Sequence, residues 1–141
     1  YLSYVGRMAF PNFAPPVTVP RAIMDSISET GPEDVLVAIT FSYYSAEVVR
    51  ACEIARDCGT RIVALTDSHA SPIAEAAEIV VRLPMAGPQI MPSQMAVFLA
   101  VETILAEMAA RSEGATARIR AFEERIRRLG GYLGDAYQQS P

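Results

Sequence analysis

Residues 34–47 read DVLVAITFSYYSAE, and the fold is decided by how an apolar strand in this stretch runs into a hydroxyl-rich turn. Residues 35–41, VLVAITF, are apolar apart from Thr40, as a parallel strand covered by helices on both faces requires. Ser42, Tyr43, Tyr44 and Ser45 stand where that strand stops, and a helical pattern begins at once. At such a junction the first N–H groups of the helix lack partners and the helix dipole presents its positive end. Amides and hydroxyls together then offer a setting for a phosphate or carboxylate. The same geometry also serves as plain N-capping of the helix, worth about 1 kcal/mol without any ligand.

Outward from this stretch, strands and helices alternate. Val48, Val49, Cys52, Ile54 and Ala55 make a helical stripe within residues 45–57, and Gly59 ends it. Residues 61–66 form a second buried strand, followed by the polar turn Asp67, Ser68, His69, Ala70, Ser71 and a short helix from Pro72, with Ser68 and Ser71 as its caps. A third strand spans 79–83. A Pro- and Gly-rich loop then leads to a long apolar helix over 93–110 and a charged one over 116–129, which Gly130 and Gly131 stop. Before the opening stretch, residues 1–10 read as the second half of a helix. Pro11, Pro15, Pro16 and Pro20 punctuate a loop around an entry strand at 17–19, and a helix covers 20–28. Residues 134–141 read as a tail. Short links between alternating elements demand right-handed crossovers and a parallel sheet, so the class is α/β.

The bulk numbers narrow the function. A chain of 141 residues with 51% hydrophobic content fits one domain with one core. Net charge is −4, and all 12 basic residues are Arg. A chain without Lys has no Schiff-base chemistry and no P-loop lysine, and mixed charge on 116–129 makes an amphipathic packing helix, with Ile119, Phe122, Ile126 and Leu129 on one face, rather than a nucleic-acid footprint. Cys52 and Cys58, six apart in a helical pattern, suit neither a redox pair nor a zinc site and read as reduced thiols of a cytoplasmic protein. No apolar run reaches the roughly 20 residues that span a bilayer, and no signal-peptide pattern is present, so no membrane partner is read. No metal-ligand set or cofactor motif is read either. The helix over 93–110 is apolar almost all round, more than one face of a monomer buries, and points to a subunit interface.

The pattern DVLVAITFS-YYS-AE, a helix ending in Cys-Gly-Thr, and then RIVALTDSHASPIAEAAEIVVRLP resembles the sugar isomerase (SIS) domain. Its usual form places a Ser-Gly-x-Ser/Thr-x-Glu loop after one strand and a Thr-Asp-Ser…Ser-Pro turn after the next. The DSHASPIA wording and the closing pair of helices look most like the effector domain of RpiR-type transcription regulators, in which a helix-turn-helix domain precedes the SIS domain. The resemblance implies a flavodoxin-like three-layer α-β-α sandwich with a parallel sheet. It implies that Ser42 and Ser45 are phosphate-binding hydroxyls, that the Tyr43 and Tyr44 amides complete the cradle, and that Glu47 is the acidic residue following the loop. It also places Ser68 in the paired second turn and Gln94, one turn into the long helix, toward the pocket. Two departures stand out: the family's first strand with its Gly- and Ser-containing loop should lie upstream of Tyr1, and Tyr43 occupies the usual Gly position, where close phosphate approach is easiest.

The function expected from the resemblance is a binding module that senses a phosphorylated sugar or sugar acid and acts as a homodimer or tetramer, with DNA bound only through an upstream domain absent from this chain. Two alternatives accompany it. One is a phosphosugar aldose–ketose isomerase, with Glu47 or His69 moving the proton; the other is a degenerate SIS scaffold whose pocket Tyr43 fills. His69, the single histidine, reads as a solvated turn residue without a second titratable partner, so no catalytic residue is assigned.

Overall fold

The structure is a computed structural model and describes residues 1–15, 19–88 and 90–131. The entry strand expected at 17–19 and the tail at 134–141 lie largely or wholly outside the described residues; Val19 is described and is the residue preceding α2. The chain divides into two compact units, one of residues 17–100 and one of residues 1–16 with 101–141.

The first unit is α/β. Helix α2 (Pro20–Ser28) leads to β1 (Val35–Ile39), then α3 (Ala46–Asp57), β2 (Arg61–Thr66) and β3 (Ile79–Arg82). We number the preceding helix Leu2–Ala9 α1. The three strands form a parallel sheet in the order β1-β2-β3. The central strand β2 is the most buried: Ile62 and Ala64 on one face and Leu65 on the other are 1% exposed or less, as a strand covered on both faces demands. Ile62 and Ala64 join Ile27 of α2, Ala38 of β1 and Ala51, Cys52 and Ala55 of α3 in one core cluster, which also takes in Ile73 from the segment after β2. The stripe read from the sequence of α3 is therefore its buried face. Gly59, at φ +77°, lets that helix end in a reversed turn, with the Thr60 amide donating to Ala55 and the Gly59 amide to Arg56.

Two expectations on this unit need correction. β1 stops at Ile39, two residues before the expected end, because the Thr40 amide still pairs with Leu65 but the chain then bends into the turn. The short helix expected from Pro72 is a run of turns instead. The Ala74 amide donates to Ser71 and Ala77 to Ala74, both three-residue steps, and Glu78 must already donate to Ile62 to start β3, which leaves no room for an α-helical ladder.

The long helix α4 (Met95–Arg111) begins in this unit and belongs from Val101 onward to the other. In the first unit Val97 is buried while Met95, Phe98 and Leu99 are exposed. The second unit is helical. Among the described residues Val101 and Leu105 of α4, Gly6 and Ala9 of α1 with Phe10 just after it, and Ala115 at the start of α5 (Ala115–Arg128) are its buried residues. Ile119, Phe122 and Ile126 continue the half-buried stripe of α5 at helical spacing, and Arg118 donates to the Ala9 carbonyl at 2.5 Å. Leu129, expected on that stripe, is exposed beyond the last helical turn. Among the described residues no helix is long and apolar enough to cross a membrane.

Candidate functional site

Sheet register decides which side chains meet. Ile39 pairs with Leu65 and the Thr40 amide donates to the Leu65 carbonyl at 3.3 Å, so β1 and β2 end level with each other. The turns that follow, around Ser42 and around Asp67, leave the same carboxyl edge of the sheet. In open parallel sheets that edge is where ligands bind.

The first turn is held by its own side chains. Thr40, buried at the end of β1, accepts a hydrogen bond from the Ser45 amide at 3.0 Å. Ser45, in extended conformation, is the N-cap of α3, and its hydroxyl accepts from the Val48 amide at 3.5 Å. Between these two anchors the chain reverses through Tyr43 at φ +71°, the left-handed region that favours glycine. The position where the SIS pattern carries Gly thus has a glycine-like backbone here despite its bulky residue. The Tyr43 side chain is 94% exposed and fills nothing. Among the described residues the Tyr43 and Tyr44 amides make no hydrogen bond.

The second turn supplies an acceptor. One carboxylate oxygen of Asp67 accepts from the Ser42 amide at 3.2 Å and from the Ser42 hydroxyl in a closer contact; the other accepts from the Tyr44 hydroxyl at 3.1 Å and the Thr66 hydroxyl at 3.4 Å. The Ser42 hydroxyl holds the Asp67 carboxyl below the usual carboxylate range against the opposing effect of desolvation, with the Ser42 amide and Tyr44 adding to the lowering. Desolvation, then the hydrogen bond and charge of Asp67, push the Tyr44 phenol above its ordinary value. Asp67 is therefore an ionised acceptor and Tyr44 a neutral donor. Ser71 Oγ, 3% exposed, stands close enough to Tyr44 to oppose that rise but makes no hydrogen bond of proper geometry among the described residues.

The remaining expected residues lie apart from this network. Ser68 uses its hydroxyl locally, accepting from the Ala70 amide at 3.1 Å, and caps a turn rather than a helix. Ser71, expected as a cap beside it, keeps its hydroxyl unbonded. Glu47 is exposed in the first turn of α3 and faces a shallow groove against α2 with Arg21, Met24, Asp25 and Arg50. Tyr43 and Tyr44 instead border an open depression of about 680 Å³ with Val49, Arg50, Glu53 and Pro72. Gln94 precedes α4 instead of lying one turn inside it; its carbonyl accepts from Val97 and Phe98, and its side chain is joined to neither turn by a hydrogen bond among the described residues. His69 is exposed. Sequence reasoning missed Asp67, Thr40 and Ser71. The signal for Asp67 was an acid directly after a strand as regular as β1, which equal strand ends bring opposite Ser42. Among the described residues no group of three or more His, Cys, Asp or Glu is placed to hold a metal ion.

The profile of the SIS domain matches residues 13–110. The sugar isomerase domain of an RpiR transcription factor from Sphaerobacter thermophilus is 28% identical, with a TM-score of 0.67 over 73% of this chain and 58% of that one. The Vibrio vulnificus NanR protein, solved in complex with ManNAc-6P, is 18% identical with a TM-score of 0.78 over 92% of this chain and 50% of that one, a likeness of fold. A phosphoheptose isomerase of Rhodospirillum rubrum is 39% identical over 67 residues, 47% of this chain and 36% of its own length. The chain thus spans between about a third and three fifths of these relatives. On the match across 13–110, and with a parallel sheet whose two strand-end turns carry the expected hydroxyl pattern, the chain belongs to the SIS domain family.

Proposed function

We propose that this SIS domain is the effector-binding domain of an RpiR-type transcription regulator, which recognises a phosphorylated sugar or sugar acid in the cytoplasm and acts as a homodimer or tetramer. DNA binding in this reading belongs to a helix-turn-helix domain upstream of residue 1. The observation that carries the reading is the turn at 42–45: a left-handed Tyr43, two amides without a partner among the described residues, and a capped α3 at the carboxyl edge of a parallel sheet. Such an arrangement accepts the oxygens of a phosphate through amides and hydroxyls at the positive end of the helix. The 28% identity to an RpiR factor's sugar isomerase domain supports the regulator, and ManNAc-6P in the NanR complex supports a phosphorylated sugar as the ligand class. Exposed Met95, Phe98 and Leu99 on α4 support association through that helix.

Screening sugar phosphates by thermal shift tests the reading. Stabilisation by at least one is expected, and silence across the panel, inorganic phosphate included, overturns it. The double variant Ser42→Ala with Ser45→Ala should weaken a phosphorylated ligand on the order of tenfold or more, two hydrogen bonds to a charged group being lost, and its unphosphorylated analogue far less. Equal losses would reduce both serines to capping and loop structure.

A second reading, an aldose–ketose phosphosugar isomerase, is favoured by the 67-residue likeness to phosphoheptose isomerase. Following ketose formation from aldose phosphates decides between the two; turnover that disappears in Glu47→Gln would favour the enzyme.

A further inference from the structure

In the Ser42 turn two of the side-chain donors, the Ser42 hydroxyl and the Tyr44 phenol, are already committed to Asp67. The single proton of the Ser42 hydroxyl and the Ser42 amide both go to one oxygen of Asp67, and the Tyr44 phenol goes to the other. A bare anion therefore meets a like charge at the mouth of the turn and must compete with a carboxylate for Ser42. A ligand carrying hydroxyl groups meets a different situation. It can donate to Asp67 in place of Tyr44 or Ser42, since an ionised carboxylate accepts about four hydrogen bonds. A displaced Tyr44 phenol then has an acceptor ready beside it, because Ser71 Oγ is buried, 3% exposed and without a hydrogen bond among the described residues.

We propose that Asp67 is the specificity-determining residue of this site: it withholds the Ser42 hydroxyl from a bare anion and releases it to a ligand that brings hydroxyl donors of its own, with Ser71 receiving the displaced Tyr44. The turn accordingly takes a polyhydroxylated phosphate ester and refuses inorganic phosphate. This inference rests on the reading of residues 42–45 as a phosphate site and adds the rule by which that site chooses.

Calorimetric titration of the protein and of Asp67→Asn and Asp67→Ala, each with inorganic phosphate and with ManNAc-6P, tests it. Circular dichroism confirms that the variants are folded, and having two variants guards against failure of either. The parent protein should prefer ManNAc-6P strongly. Both variants should gain affinity for inorganic phosphate on the order of tenfold through loss of a nearby like charge, with Asp67→Ala, which also frees the Ser42 proton, gaining at least as much as Asp67→Asn. Preference for the ester over inorganic phosphate should shrink in both. If the parent binds ManNAc-6P and neither variant gains affinity for inorganic phosphate, the role of Asp67 is overturned and the phosphosugar reading stands. If neither probe binds the parent or either variant, the role of Asp67 is overturned, while the phosphosugar reading falls only if the wider panel of sugar phosphates is silent as well.

Discussion

The two turns at the carboxyl edge of the sheet follow strands paired side by side, yet they are built on opposite plans. In the turn after β1 Thr40 is buried while Tyr43 is exposed, and its fold depends on the Thr40–Ser45–Val48 relay and on a left-handed residue. The segment after β2 is sunk into the core by Ile73, which is fully buried among Ile27, Ile62 and the apolar face of α3, and local three-residue hydrogen bonds shape it. One turn keeps amides unbonded and the other holds Asp67 steady against it. A binding loop with few anchors of its own can be positioned by a neighbour that has many.

The largest effect should come from attacking the anchored turn. Ile73→Ala empties a fully buried position and should cost about 2–5 kcal/mol in urea unfolding, whereas Tyr43→Ala, at a 94% exposed side chain, should lie within about 0.5 kcal/mol of the parent. Similar costs at the two positions would erase the distinction between a core-anchored turn and a superficial one.

The α/β class, the three described strands, the capped start of α3 and the glycine end of that helix were all legible in the sequence, because each rests on local pattern: apolar runs, a Ser before a helical stripe, Gly at a left-handed position. The part of the site that was not legible is the part made between segments. Asp67 lies 25 residues from Ser42, and only the register Ile39 to Leu65 places the two opposite each other. The run at 72–77 misled for a related reason. Pro72 followed by Ile, Ala and Glu carries helix-forming composition, but the demand that Glu78 enter β3 beside Ile62 fixes the length available and leaves only turns. Gln94 was displaced by a smaller error of the same kind, one helix boundary set a few residues early.

A subtler break concerns the strain in the superficial turn. Tyr43 holds φ at +71° with its side chain exposed, so nothing in packing repays the left-handed conformation. Tyr43→Gly should raise stability by up to about 1 kcal/mol, the relief of a left-handed non-glycine residue reduced by the extra freedom glycine gives the unfolded chain. Tyr43→Ala keeps the conformational penalty and should show no such gain. A Gly variant no more stable than the Ala variant would mean that the residue leaves the left-handed region in solution.

The smallest effect is electrostatic and tests the join between the turns. Asp67 has its carboxyl held below its ordinary value, first by the Ser42 hydroxyl. A group whose folded pKa is depressed binds its proton less readily in the folded state than in the unfolded one, so it adds stability above the unfolded value, near 3.8 for this group, and loses that contribution as pH falls through the lower folded value. The site is mostly open to water, which keeps the contribution small. Comparing urea unfolding of the parent with Ser42→Ala between pH 6 and pH 3 isolates it, since the variant lacks the leading cause of the shift. The parent should be the more stable of the two at pH 6, and the gap should narrow toward pH 3. A gap that stays constant over that range would show that the Ser42 hydroxyl stabilises the turn without engaging an ionised Asp67, and the two turns would then be neighbours in the sheet but independent in energy.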